Sequence, residues 1–501
     1  MKSQKIFDAI GNIGEDLIES ANVPALKAEK PRKKWLIPAA AAVLALVVTA
    51  TIILAPDKSP FSPAASDTVS TQTHSNSSPP LKSPSLKSFA IAEADYPTQI
   101  HYPNYSEMSD AEYNKAFNDW YQDYEGRKEL RKTDADLNPF LKKSIPQFLS
   151  GKDGENIVYS PINVYMALSM LSEICGGESR SQLLSLLGAD SIEALRRDAV
   201  SVWNANYNDD GRYTSILASS LWLNQNINFK QKTIETLKET YYASSFKGEM
   251  GTAKFDKALQ DWLNEQTGNL LKGQIDSIKM PPETVLSLAT TVYFKAGWDH
   301  DFSEINTKKN IFKTANGDVT CDFLNGSSTE DYYYSENFSA TSKRFSDGGK
   351  MTFILPDENT TPEALLKEAD TLDFICSNGE KGVERQKIMV NLSVPKFDVS
   401  SQIKLKDGLK ALGVTNVFDF TKSNFSPLTE DTDVAVSSAL HGARVKIDEE
   451  GCTATAYTAM LMAGSAMPKD EVDFVLDRPF IFVITSQCGQ PLFVGIVNTP
   501  A

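Results

Sequence analysis

Residues 448–468 read DEEGCTATAYTAMLMAGSAMP: three carboxylates, then 18 residues from Gly451 to Pro468 without a charge. Strand alternation places Cys452, Ala454, Ala456, Thr458, Met460 and Met462 on one face. All six are uncharged and the first three are small, so this face can enter a protein interior without desolvating an ion. No proline interrupts the run before Pro468, which leaves every amide able to join a ladder. Gly451 supplies a flexible pivot behind Glu449 and Glu450. Two readings fit these residues: a strand pair or turn inside a core, and an exposed loop able to become a strand.

The surrounding chain mixes helical and strand signals. Val164–Leu171, Ser181–Leu187 and Phe255–Leu271 have helical periodicity, as does Leu405–Leu412, which Gly413 terminates. Val285–Phe294, Met351–Leu355, Ile388–Val394, Val434–Val445 and Phe480–Ile484 read as strands. Helices crowd the first half and strands the second, and no linker or repeat breaks the composition. Residues 137–501 are therefore expected to form one α+β domain.

Several short segments then fall in a telling order. Asn156-Ile157-Val158-Tyr159-Ser160-Pro161, a helix, and Gly177-Glu178-Ser179-Arg180-Ser181-Gln182 resemble the opening signature of the serpin family. Tyr293-Phe294-Lys295-Ala296-Gly297-Trp298, Pro395-Lys396-Phe397 and Leu409-Lys410-Ala411-Leu412-Gly413 resemble its mid-domain markers. His441, Asp448-Glu449-Glu450-Gly451, Arg478-Pro479-Phe480-Ile481-Phe482 and Leu492-Phe493-Val494-Gly495 complete the order. The resemblance does not extend to residues 1–136.

It implies helices packed around three β-sheets with an exposed reactive-centre loop. It also implies a suicide inhibitor of serine proteases: the protease attacks the loop, forms an acyl-enzyme, and is carried across the molecule as the loop inserts. The hinge would be Glu449, Glu450, Gly451, Cys452, Thr453, Ala454, Thr455 and Ala456. Cys452 takes the first inward position, where the family usually has threonine, and is expected in water before insertion. Counting 14 residues on from Gly451, or 14 back from Pro479, puts the reactive bond at Ser465–Ala466, with Met462–Ala463 the runner-up. Small residues there suit elastase-like or subtilisin-like proteases, a papain-like cysteine protease being the alternative partner. Asn156, Ser160, Pro161, Thr290, His441 and Trp298 would form the sheet-opening region. Thr290 stands where the family has an asparagine that bonds the counterpart of His441, and Asn163 replaces a small serine.

The rival classes find less support. There are four histidines (His74, His101, His300, His441) and no H-E-x-x-H, G-x-S-x-G or phosphate-cradling glycine loop, which lowers the odds of an enzyme. Five scattered cysteines make neither a disulfide framework nor a zinc site, and no cofactor is implied. A net charge of −15 argues against nucleic acid. A non-inhibitory serpin acting as a surface binding protein is the closer alternative. It predicts a charge or proline on the inward face of the hinge, and neither is there. A monomer is expected.

Ahead of the domain, Trp35–Leu54 is 20 residues without a charge, about 30 Å as a helix, preceded by Lys30, Arg32, Lys33 and Lys34. This predicts a cytoplasmic leader at 1–34 and a transmembrane anchor at 35–55. A Ser/Thr/Pro-rich tether follows at 56–88, then a helical extension at 89–136, with everything beyond the anchor extracellular. A signal peptide cleaved after Val48-Thr49-Ala50 is the rival reading. Ile6, Ala9, Ile10, Ile13, Leu17 and Ile18 give the leader an amphipathic face, for a membrane surface or a partner, or merely as a topogenic segment.

Overall fold

The computed structural model describes residues 84–150, 154–270, 275–276, 278–431, 434–452 and 470–500. The expected leader and anchor, almost all of the tether, and Thr453, Ala454, Thr455, Ala456, Ser465 and Ala466 lie outside the described residues. Among the described residues no helix is long and apolar enough to cross a membrane.

The sheet that carries the site has a path of six strands: β1 (Ala90–Ala92), β2 (Thr214–Asn224), β3 (Ala243–Gly248), β4 (Leu286–Gly297), β5 (Asp398–Lys404) and β6 (Val436–Lys446). Their order is β1-β3-β2-β4-β6-β5. A two-residue strand, β7 (Gly451–Cys452), joins β4, and Asn208–Asp209 joins β2. Both faces are covered, which is why β2 and β4 lack a simple polar-apolar alternation. On one face Leu217, Leu221, Leu288 and Val292 meet the main core. On the other, Ala218, Trp222 and Ala289 pack with the helix Ala253–Gln266 through Phe255, Ala258 and Trp262.

Nine further strands form the second sheet. The 18-residue strand Gly317–Tyr334 pairs with Lys308–Thr314 and Glu384–Pro395, and its far end with Phe338–Arg344. The three sheets implied by the resemblance are thus hydrogen-bonded as two units, because this one strand runs through both of the smaller ones.

Two helices matter below. Helix α1 (Asp110–Gly126) starts at a reciprocal cap in which Ser109 and Glu112 bond each other's backbone N–H. Helix α2 (Pro161–Ile174) begins with proline at its first position, where no N–H is missed, and is buried along its whole length. The extension docks through aromatic residues. Tyr96 packs against Trp203 and Tyr207, and Trp120 donates its indole N–H to Asp210 at 3.2 Å. Its strand β1 lies on the outer edge of β3. Pro84–Lys87 form one helical turn that buries Leu86 completely, so the expected tether does not reach residue 88 as tether.

Candidate functional site

The centre of the first sheet is a fork. Strands β4 and β6 run parallel and pair from Val436↔Leu286 up to Gly442↔Thr291, and no further. Above that point Val292–Gly297 and Ala443–Lys446 continue without pairing to each other, and β7 enters from the top. Gly451 pairs with Gly297 and Cys452 with Ala296 on the β4 side, while Ile447 bridges Cys452 on the other. The sheet has a strand's width of entry at one end and a closed ladder at the other.

Backbone bonds root the hinge. Trp298 donates its main-chain N–H to Glu450 O and its indole N–H to Asp448 O, both at 2.9 Å, and stacks on Phe345 at 4.8 Å. Phe302 N–H bonds Glu449 O at 2.9 Å, and Asp448 folds back to Gly451 O at 3.0 Å. The Glu449 carboxylate accepts from Thr307 at 2.7 Å and pairs with Lys396 at 2.6 Å. Burial pushes its pKa up, but Lys396 and Thr307 outweigh that and leave it below the usual value. Glu450 stays exposed. Gly451 is fixed by close approach: a Cβ there would lie 2.3 Å from Ala296 O.

Cys452 corrects the sequence-based expectation. It is 1% exposed and part of the main core rather than in water. Its small, weakly polar side chain suits a seat between two strands. Nothing local could reveal this, since the seat is built by Ala296, Gly297 and Trp298, some 150 residues upstream.

One residue below the fork, His441 pairs with Thr290 across the ladder. The two side chains do not bond each other. Thr290 Oγ1 donates to Ala218 O on β2 at 3.3 Å, as its short reach dictates, and His441 Nε2 accepts the N–H of Ser160 at 3.0 Å. That bond ties the ladder to the N-cap of α2, and assigns the imidazole proton to Nδ1. Burial holds the His441 pKa down at about 3, so the ring is neutral at ordinary pH. Ser160 is the N-cap of α2 and Pro161 its first residue. Asn156 is not in the opening region. It grips the C-terminal segment, donating to Thr499 O at 2.6 Å and accepting from the N–H groups of Asn498 and Thr499. Sequence reasoning missed the partners Phe302, Thr307 and Phe345; Lys396 was legible only as part of a motif.

This arrangement contains no nucleophile–base pair. Its two central strands part above Gly442, and β7 sits between them. The family model for serpin (serine protease inhibitor) matches residues 138–500. Serpin-ZX of Arabidopsis thaliana is 26% identical over 365 residues, 69% of this chain and 92% of that protein. Serpin-Z1C of Triticum aestivum is 29% identical, covering 69% and 90%. Among solved structures, a thermophilic serpin, tengpin, in the native state matches with TM-score 0.65 and 25% identity, over 73% of this chain and 93% of that one. Arabidopsis AtSerpin1 in its native stressed conformation matches with TM-score 0.63 and 24% identity, over 74% and 98%, a likeness of fold. A forked sheet with its hinge seated, under a family model spanning nearly all of the chain beyond the extension, makes this chain a member of the serpin family, a family of protease inhibitors rather than enzymes.

Proposed function

We propose that the chain is an extracytoplasmic, membrane-anchored inhibitor that traps serine proteases covalently by inserting its loop between β4 and β6. The observation that carries this is the seated hinge, with Gly451 and Cys452 already paired in the fork. Continued down β4 in the same register, Met462 comes opposite Leu286, the first residue of that strand. Ser465 would then clear the foot of the sheet, still joined to its protease.

In the reaction the protease serine oxygen attacks the Ser465 carbonyl carbon. The Ser465–Ala466 amide breaks, the amine of Ala466 leaves with a proton from the protease, and an ester remains. Insertion carries that ester away before water can cleave it. The driving force is the pairing and burial of a new strand, held back by the closed ladder below Gly442. Gly464 and Ser465 suit a shallow primary pocket of elastase-like or subtilisin-like type.

The test is to incubate the protein with elastase, subtilisin, trypsin and papain and look for complexes that survive denaturant. Mass spectrometry should find a released peptide beginning at Ala466. Cleavage without any stable complex would favour a surface binding role instead.

A further inference from the structure

A cavity of about 610 Å³ lies at the foot of the first sheet, at the opposite end of the β4–β6 ladder from the hinge. Gln402 and Lys404 of β5 and Ser438 and Leu440 of β6 line it. These are alternate residues in each strand, so the cavity opens on a face of the sheet. It is the face on which Ala289, paired with Leu440, packs with the helix Ala253–Gln266. The other wall is residues 278–284, which lead into β4. Met280 donates its N–H to Asp256 at 2.9 Å, and the Gln260 amide donates to Ile278 O at 3.0 Å, so this wall is fixed to that helix. Asn224 of β2 donates to Thr284 O at 3.0 Å. The two walls therefore stand on opposite sides of the ladder between β4 and β6.

The lining sets cations around an apolar surface. Val436 and Phe418 are buried, Ile278 and Leu440 partly so, and Phe420 carries the apolar surface out to the mouth at 49% exposure. Lys279 and Lys404 are exposed and Lys406 is half-buried, so all three ammonium groups on this lining are open to a ligand from solution. Among the described residues none of the three has a carboxylate within ion-pair distance, and the Lys406 ammonium lies 5.7 Å from the centre of the Phe418 ring. Glu283 is the one acid among the described lining residues. Three cations to one anion reverse the sign of a chain whose net charge is −15.

Unpaired cations beside an apolar floor select an amphiphilic anion. The lining holds no arginine fork for the paired oxygens of a phosphate. The facing backbone groups of β5 and β6 already pair with each other, Lys404 with Leu440 and Gln402 with Gly442, which leaves a peptide no ladder to extend there.

We propose that this cavity binds the monomer of a long-chain fatty acid, with its carboxylate among Lys279, Lys404 and Lys406 and its chain along Ile278, Phe418, Phe420 and Leu440. Lysines on flexible stems converge on a single carboxylate as point charges, and the chain gains from every methylene it removes from water. Occupancy also restrains the sheet, a consequence that rests on the insertion mechanism proposed above. A new strand between β4 and β6 moves the two walls about 5 Å apart. An acid that touches both walls favours the closed ladder, and insertion of the loop releases it.

The probe is palmitic acid carrying a photoreactive diazirine, irradiated with the full chain in maltoside micelles, with labelled peptides mapped by mass spectrometry. Label should concentrate on peptides containing Ile278, Phe420 and Leu440. It should fall under excess unlabelled palmitic acid but not under the uncharged alcohol of the same length. Lys404→Gln combined with Lys406→Gln, changes at solvent-accessible positions that folding tolerates, should label about five-fold less at the same acid concentration. Label spread over the chain or confined to residues 35–54, equal competition by the alcohol, or undiminished labelling of the variant overturns the site. Protein whose loop has been cut should label several-fold less than intact protein. If cutting raises the unfolding midpoint yet the label persists, the sheet has opened without releasing the acid and the restraint is refuted. If cutting leaves the midpoint unchanged, the insertion mechanism fails instead, and the lysine variant still decides the site.

Discussion

Arginine in place of Cys452 would sit in a seat that is 1% exposed and paired on both sides, to Ala296 and Ile447. Leaving the guanidinium there without a partner costs several kcal/mol. Withdrawing β7 into water costs less. Two ladder positions are lost at about 1 kcal/mol each, and a small side chain is re-exposed at about 1 kcal/mol more. The hinge should therefore leave the fork, and the intact protein should lose about 3 kcal/mol, a few degrees in its unfolding midpoint. The same arginine would stand in the way when the loop tries to re-enter. Insertion slows, deacylation does not, and the protease escapes after cutting. The assay pairs thermal unfolding of the intact protein with the number of inhibitor molecules consumed per protease inactivated. The midpoint should fall modestly and the consumption rise several-fold. An unchanged midpoint would mean that Cys452 is not seated in the fork. An unchanged consumption would mean that the loop does not enter past it.

Cutting the loop with a non-target protease should raise the unfolding midpoint substantially, and an unchanged midpoint after confirmed cleavage would count against a spring-loaded sheet. Glu449→Lys sets two ammonium groups against each other where a partly buried ion pair stood; a loss of about 1–3 kcal/mol is expected, and equal urea midpoints would refute the anchoring role. The low pKa of Glu449 means that this contribution is present above its unfolded value and lost as pH falls through the acid range. His441 works over a higher window: unfolded it takes a proton near pH 6.5, folded only near 3, so stability is intact above 6.5 and declines as pH drops towards 3. Asp347, raised by burial to about 6, acts in the opposite direction between about 6 and 3.8, so the comparison of wild type with His441→Gln isolates the histidine, and parallel pH profiles would refute its part. Ser465→Arg should redirect inhibition towards trypsin-like proteases, read as rates of inactivation, and no change would refute the assigned bond.

Local physics made much of the fold legible. The helix Leu405–Ala411 ends where Gly413 takes a positive φ, and the runs Val285–Phe294 and Val434–Val445 lie almost wholly on the two strands of the fork. What stayed hidden depends on partners distant in sequence. The face of Cys452 was read correctly as able to bury, yet whether it is already buried depends on Trp298 and Phe302 holding Asp448, Glu449 and Glu450. Asn156 belongs to a motif beside Ser160, but its amide is claimed by the C-terminus, 343 residues on. The bond from His441 to Ser160 N–H spans 281 residues, and Thr290 in place of asparagine gave no hint that the backbone would supply the donor.

The strand Ala90–Ala92 has a consequence beyond its three residues. It covers the outer edge of β3, where the sheet would otherwise offer open N–H and C=O groups to any passing chain. A molecule nicked between this strand and α1 would expose that edge. Such molecules should self-associate edge to edge, so the arm acts as a guard that keeps copies of this chain apart.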